Sequence, residues 1–189
     1  MNANVGMVYP VAALVQTYTP GTSISYRNGS NFAEAVSASV SWDRADGEFY
    51  GDDVLLDSDN GVLGYTIDFE PSGLSDTARG LLLGETVQTS EYTITDAAAP
   101  DVGFGYVRVM RDKGATKYEG WWYHKVKFSV SSEETRTKEK NIEWRVPTLQ
   151  GKGAGISLDS TGTMTFAQHK SFDTLAQAKA YVNSKAGIT

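Results

Sequence analysis

The stretch Asp46 to Glu85, DGEFYGDDVLLDSDNGVLGYTIDFEPSGLSDTARGLLLGE, sets a turn, an acidic loop, a strand and a short helix in succession. Asp46-Gly47 is a turn pair, and Phe49-Tyr50 resumes extended chain. After a second turn pair, Asn60-Gly61, the residues Leu63, Tyr65, Ile67 and Phe69 recur at every second position against Thr66, Asp68 and Glu70. That spacing places four large side chains on one face of a strand. Pro71 ends the strand, and Ser72 or Ser75 caps a helix in which Leu74, Ala78, Leu81 and Leu82 share a face and Gly84 is the left-handed stop. At about a dozen residues such a helix does not hold alone and must lie on a sheet. Between turn and strand, Asp52, Asp53, Asp57 and Asp59 crowd around Val54, Leu55 and Leu56. Three adjacent aliphatic side chains in an acidic surface loop are costly in water, so a covering surface is expected, from this chain or from a second copy.

Outward from this stretch the chain continues in short extended segments. Met1 to Gly21 is broken by Pro10 and closed by Pro20-Gly21, which predicts a short strand or arm followed by a turn. Phe32 to Trp42 alternates apolar and small polar residues, as a half-buried antiparallel strand does. Thr86 to Thr95 reads as a weaker strand. Val102, Phe104 and Tyr106 alternate with Gly103, Gly105 and Val107, turn at Asp112-Lys113-Gly114 and return as Tyr118 to Val130, the clearest hairpin in the chain. Glu133 to Lys140 is charged nearly throughout and reads as an exposed link. Ile142, Trp144 and Val146 form a further strand, Gly151 to Gly155 a glycine-rich turn, and Ile156–Leu158 and Met164–Phe166 two more strands. Phe172 to Ala186 is a helix starting at Asp173 or Thr174, with Leu175, Ala178, Tyr181 and Val182 on one face and Lys185 near its end. Many strands and two short helices predict a mainly β fold: a β-sandwich or flattened barrel of two packed antiparallel sheets, flanked by the helices.

Composition narrows the function. A length of 189 residues suits one domain, 1–189, with an arm over about 1–21, a long loop over about 43–62 and a helix over about 172–186. A net charge of −6 argues against gripping nucleic acid, which requires Lys and Arg to neutralise phosphates. The absence of cysteine removes disulfides, thiol nucleophiles and most zinc sites. No apolar run reaches membrane-spanning length and no secretory leader is recognisable, so a soluble product is expected.

Chemistry finds few candidates. His124 and His169 are the only near-neutral bases, they lie in different segments, and no serine sits in a glycine-flanked elbow. A calcium loop with Gly61 sixth has Leu56 first and Ile67 twelfth, so that motif fails, and only an irregular ion site stays open. Glu48 and Glu70 pair as glycosidase carboxylates only if folding sets their distance. Gly151-Lys152-Gly153 lacks the Ser or Thr that follows a phosphate-loop lysine. Trp121-Trp122-Tyr123 is a candidate aromatic contact patch, for a glycan or a neighbouring subunit, although alternation turns at least one of the three rings into the core. No catalytic residue, cofactor site or metal site is assigned, and no enzyme activity is expected.

The order of several motifs resembles the major tail protein family of siphophages, the subunits of the tail tube. These are Phe49-Tyr50 with Gly51-Asp52-Asp53, the helix ending Leu83-Gly84-Glu85, the run Ala99-Pro100-Asp101-Val102-Gly103-Phe104-Gly105-Tyr106, the run Tyr123-His124-Lys125-Val126-Lys127-Phe128, and the charged link Glu133 to Lys138 leading into Ile142-Glu143-Trp144. The resemblance implies a virion protein, made in the bacterial cytoplasm, whose β-sandwich protomers join into six-membered rings. The rings stack into a hollow tube, meet other tail proteins at its ends, and let genome DNA pass without specific binding. Phe49, Tyr50, Asp52, Asp53, Val54, Leu55, Leu56 and Asp57 are then the candidate subunit-contact loop. A ring of six chains at −6 each carries about −36, and any share facing the bore repels DNA phosphates. The alternative is a carbohydrate- or receptor-binding β-sandwich using the Trp121 patch.

Overall fold

A computed structural model describes residues 2–32, 34–51, 54–88, 91–95, 98–132 and 146–188. In chain order the strands are β1 (Asn2–Thr19), β2 (Ser23–Asn31), β3 (Ala35–Arg44), β4 (Gly47–Gly51), β5 (Val54–Asp59) and β6 (Val62–Pro71). A single helical turn, α1 (Asp76–Ala78), runs on as a π-helical turn over Arg79–Leu83. Then come β7 (Thr86–Gln88), β8 (Glu91–Thr93), β9 (Val102–Asp112), β10 (Ala115–Ser132), β11 (Thr148–Ala154), β12 (Ile156–Ser157), β13 (Met164–Thr165), β14 (Ala167–Phe172) and α2 (Leu175–Ala186).

The main sheet is antiparallel in the order β2-β1-β9-β10-β11-β6-β3, with β14 also on β10. Its two-layer shape comes from β10, which is 18 residues long. Residues Tyr118 to Tyr123 lie between β9 and β14. Beyond a register shift between Tyr123 and Val126, the strand pairs with β11 instead. The bulge turns the corner and folds one sheet into two facing layers, as bulges do where a strand changes sheet. Phe104 of the first layer meets Phe69 of the second with ring centroids 5.2 Å apart, and Tyr123 meets Tyr65 at 5.3 Å. Ile67, Leu149, Phe128 and Val102 complete this core, and Ala78, Leu81 and Leu82 of the helical turns pack into it. Among the described residues β2 and β3 pair on one side only, so the sandwich does not close into a barrel.

The first layer is covered on its outer face as well. Val11, Ala13, Val107 and Trp122 lie there, roofed by Ala178, Val182 and Ala186 of α2. Glycines make this possible: a Cβ at Gly105 would lie 2.5 Å from the Trp122 ring and 3.0 Å from Val182. The alternating glycines of β9 are thus the floor on which a tryptophan lies flat.

Several sequence expectations hold. The hairpin turns through Lys113 and Gly114, both at positive φ (46° and 89°), the geometry of a two-residue hairpin turn. Ser75 accepts the Ala78 amide, Thr174 accepts that of Gln177, and Gly84 is left-handed. Others need correction. The segment expected as an arm over 1–21 is an interior strand, β1, paired with β2 on one side and β9 on the other. Pro10 is tolerated because Tyr9 and Pro10 stand at a bulge opposite Tyr106, with Tyr9 at φ 59°, so the missing amide hydrogen interrupts no ladder bond. The expected turn at Gly151 to Gly155 is mostly strand β11, lying between β10 and β6. A Cβ at Gly151 would lie 2.7 Å from Phe128, and one at Gly153 would overlap the Tyr65 ring. The expected strand over Thr86 to Thr95 divides into the pair β7–β8. The first helix is shorter than expected, and Leu63 is 67 % exposed beyond the end of the core. The link Glu133 to Lys140 and the strand positions Ile142 and Trp144 lie outside the described residues.

Candidate functional site

The acidic loop over about 43–62 is a hairpin inserted between β3 and β6. Its backbone pairs Gly47 with Asp59, Glu48 with Ser58 and Gly51 with Val54. Among the described residues it forms a separate two-stranded sheet that joins no strand of the sandwich. Its neck is fixed by Ala45 donating to the Gly61 carbonyl (2.8 Å), Arg44 Nη1 donating to the Asn60 carbonyl (3.2 Å), and the Gly61 amide donating to Asp59 Oδ1 (3.0 Å). Of the expected contact residues, Phe49, Tyr50, Val54, Leu55, Leu56 and Asp57 belong to its two strands, while Asp52 and Asp53 lie outside the described residues.

At the neck opens a groove of about 400 Å³ lined by Trp42, Arg44, Val62, Met164, Phe166 and Ala167, together with Thr165. It lies where the inner face of β3 and β6 runs past the facing layer. Trp42 packs against Tyr65 at 5.4 Å and edge-on to Phe166 at 6.4 Å, yet remains 38 % exposed, and Met164 is 53 % exposed. Sequence reasoning missed this groove. Trp42 was legible as the last apolar position of its strand, but nothing in the sequence ties it to Met164 and Phe166, which arrive more than a hundred residues later.

The candidate patch Trp121, Trp122, Tyr123 separates on folding. Trp122 and Tyr123 are 0 % and 1 % exposed, buried on opposite faces of the first layer, so neither is a surface contact of this chain. Trp121 alone stays near the surface, and its ring is already occupied. His169 of β14 stacks on it at 4.3 Å and 10°, while Arg108 of β9, from the other side of β10, holds its guanidinium 4.7 Å from the ring centroid. Glu119 accepts the indole N–H at 3.0 Å, accepts from Ser171, and stands 3.8 Å from Arg108.

The two histidines therefore do unrelated work. His124 is buried at the corner of β10. The Tyr26 hydroxyl donates to the His124 carbonyl (2.9 Å), which leaves its oxygen to accept from Nδ1–H at 3.1 Å. Nε2 is buried without a partner among the described residues. Burial first, and the Lys185 ammonium second, push the imidazole down to about 4. A group that resists protonation when folded destabilises the fold wherever the unfolded chain takes up the proton. Stability is therefore expected to fall as pH drops from about 6.5 to about 4, by on the order of 3 kcal/mol from this residue. Urea titrations at pH 7 and pH 4.5 on wild type and His124→Gln check this: the variant is expected to show the smaller difference, and equal differences would refute the assignment.

Among the described residues no cluster of three or more His, Asp or Glu is placed to hold a metal ion, and no helix is long and apolar enough to cross a membrane. Glu70, one of the two carboxylates considered for catalysis, accepts the Ser37 hydroxyl at 2.7 Å on the outer face of the second layer. No protein-family model matches the chain, and no curated protein sequence matches it.

Proposed function

We propose that the chain is the structural subunit of a bacteriophage tail tube, assembling into stacked six-membered rings around an acidic bore. The observation that carries this reading is the detached hairpin β4–β5: a two-stranded extension with three consecutive aliphatic residues that, among the described residues, pairs with no strand of the sandwich. Two further features agree with it. The one-sided strands β2 and β3 offer edges through which sheets of neighbouring subunits join, and a joined edge is protected from unwanted pairing. The outer face of β3 and β6 carries Ser37, Ser39, Ser41, Asp43, Thr66, Asp68 and Glu70, with Lys152 on the β11 side. A face of hydroxyls and carboxylates without large apolar groups suits a wall past which a polyanion must slide. The alternative of a glycan-binding module working through the Trp121 patch is less well supported, because the Trp121 ring already holds Arg108 and His169.

The test is negative-stain electron microscopy of the purified chain at rising concentration, with light scattering for mass. Rings or hollow tubes of uniform width are the expected result. A chain that stays monomeric at millimolar concentration, and also when mixed with preformed tail tips, would refute it.

A further inference from the structure

Among the described residues nothing fills the groove at the neck of the hairpin. Its lining is apolar and aromatic, through Trp42, Val62, Met164, Phe166 and Ala167, with one cation, Arg44, on its rim. Among the described residues no carboxylate stands within ion-pair distance of Arg44, which donates to the Asn60 carbonyl. The hairpin has the opposite character. Between Ala45 and Gly61 the sequence holds six acidic residues and no Lys or Arg, around the aliphatic run Val54-Leu55-Leu56. Two such hairpins repel one another, so the surface that covers one must be apolar and carry positive charge. The hairpin cannot serve its own groove. Strands of five and six residues set its tip roughly 17 Å from the neck at about 3.3 Å per residue, and folding back would break the β4–β5 pairing.

We infer that the groove of Trp42, Arg44, Met164 and Phe166 receives the hairpin tip of a second copy of this chain. The inference rests on the tube reading and names the receiving surface within it. Tip and groove are different surfaces of one molecule, so the contact is heterologous: each copy both inserts and receives, and the contact repeats from copy to copy.

The absence of cysteine in the natural sequence makes a direct test possible. Met164→Cys is combined with Leu55→Cys in one variant and with Leu56→Cys in another. Leu56 stands at the register shift of the β4–β5 pairing, where the alternation of faces is interrupted, so both positions are tested, and a tip that enters the groove is expected to bring one of the two pairs of sulfurs together. Mild oxidation is expected to give a ladder of covalent oligomers from one double variant, and no species beyond dimer from any single variant. Normal tubes from both double variants without a ladder would overturn the groove assignment and leave the tube reading standing. A ladder without tubes would support the contact and overturn the tube. Folded monomers giving neither would overturn both.

Discussion

Replacing Leu55 and Leu56 together with aspartate is expected to leave a folded monomer that no longer assembles. Among the described residues β4 pairs with β5 alone, and the sandwich strands pair with one another without either of them. Denaturation of the double variant should therefore match wild type within about 0.5 kcal/mol, as for substitutions outside core and caps. Assembly is another matter. A buried apolar anchor at an interface contributes about 2 kcal/mol or more, and two carboxylates forced into that site add a desolvation cost. A loss of about 4 kcal/mol weakens each contact roughly a thousandfold, and a polymer multiplies that at every joint. Sedimentation velocity beside circular dichroism reads both halves of the prediction. Tubes forming at the wild-type concentration would refute the role given to this hairpin.

Trp122→Ala is expected to carry the largest effect on stability, about 3 to 5 kcal/mol, out of about 5 to 15 kcal/mol for a whole domain. Trp122 is fully buried, edge-on to Tyr26 at 5.2 Å and 84°, with α2 above it. Its floor is Gly103 and Gly105, which have no side chains to move into the space vacated, so the cavity persists and the upper end of the range applies. Trp122→Phe, which keeps a ring and discards the N–H, should recover more than half of the loss. A cost below about 1 kcal/mol for the alanine variant would mean that α2 does not rest on this residue.

The residues that made the fold legible are those whose alternation survives without tertiary context. Tyr65, Ile67 and Phe69, and Val102, Phe104 and Tyr106, announce strands by period alone, and both triplets are core. Ser75, Thr174 and Gly84 mark helix ends through local chemistry that needs no partner. What stayed hidden depends on partners distant in sequence. The glycines of β11 look like a turn until Tyr65 and Phe128 are known to lie across them. β2, SISYRNGSN, shows only Ile24 and Tyr26 as an apolar face, because it is an edge strand that buries little else. β14, AQHKSF, shows only that it follows Phe166, and its reason for being a strand is the open edge of β10. For the site, the hairpin was visible as an acidic stretch with unexplained aliphatics, whereas the groove is assembled from β3, β6 and the segment around β13 and was not.

The two-sided pairing of β1 bears on how the chain reaches this state. Asn2 pairs with Asp112 and Leu14 with Val102, so β1, which ends at Thr19, completes its pairing only once the chain has been made as far as Asp112. Until then β1 has at most β2 as a partner, and an isolated hairpin is at best marginally stable in water. Closing so long a loop carries an entropic cost before any contact rewards it, which places folding in the slow millisecond-to-second regime of non-local β proteins. A nascent chain with an unpaired edge is also the species most prone to aggregate. Low temperature and slow synthesis are therefore the conditions under which this protein should be recovered folded.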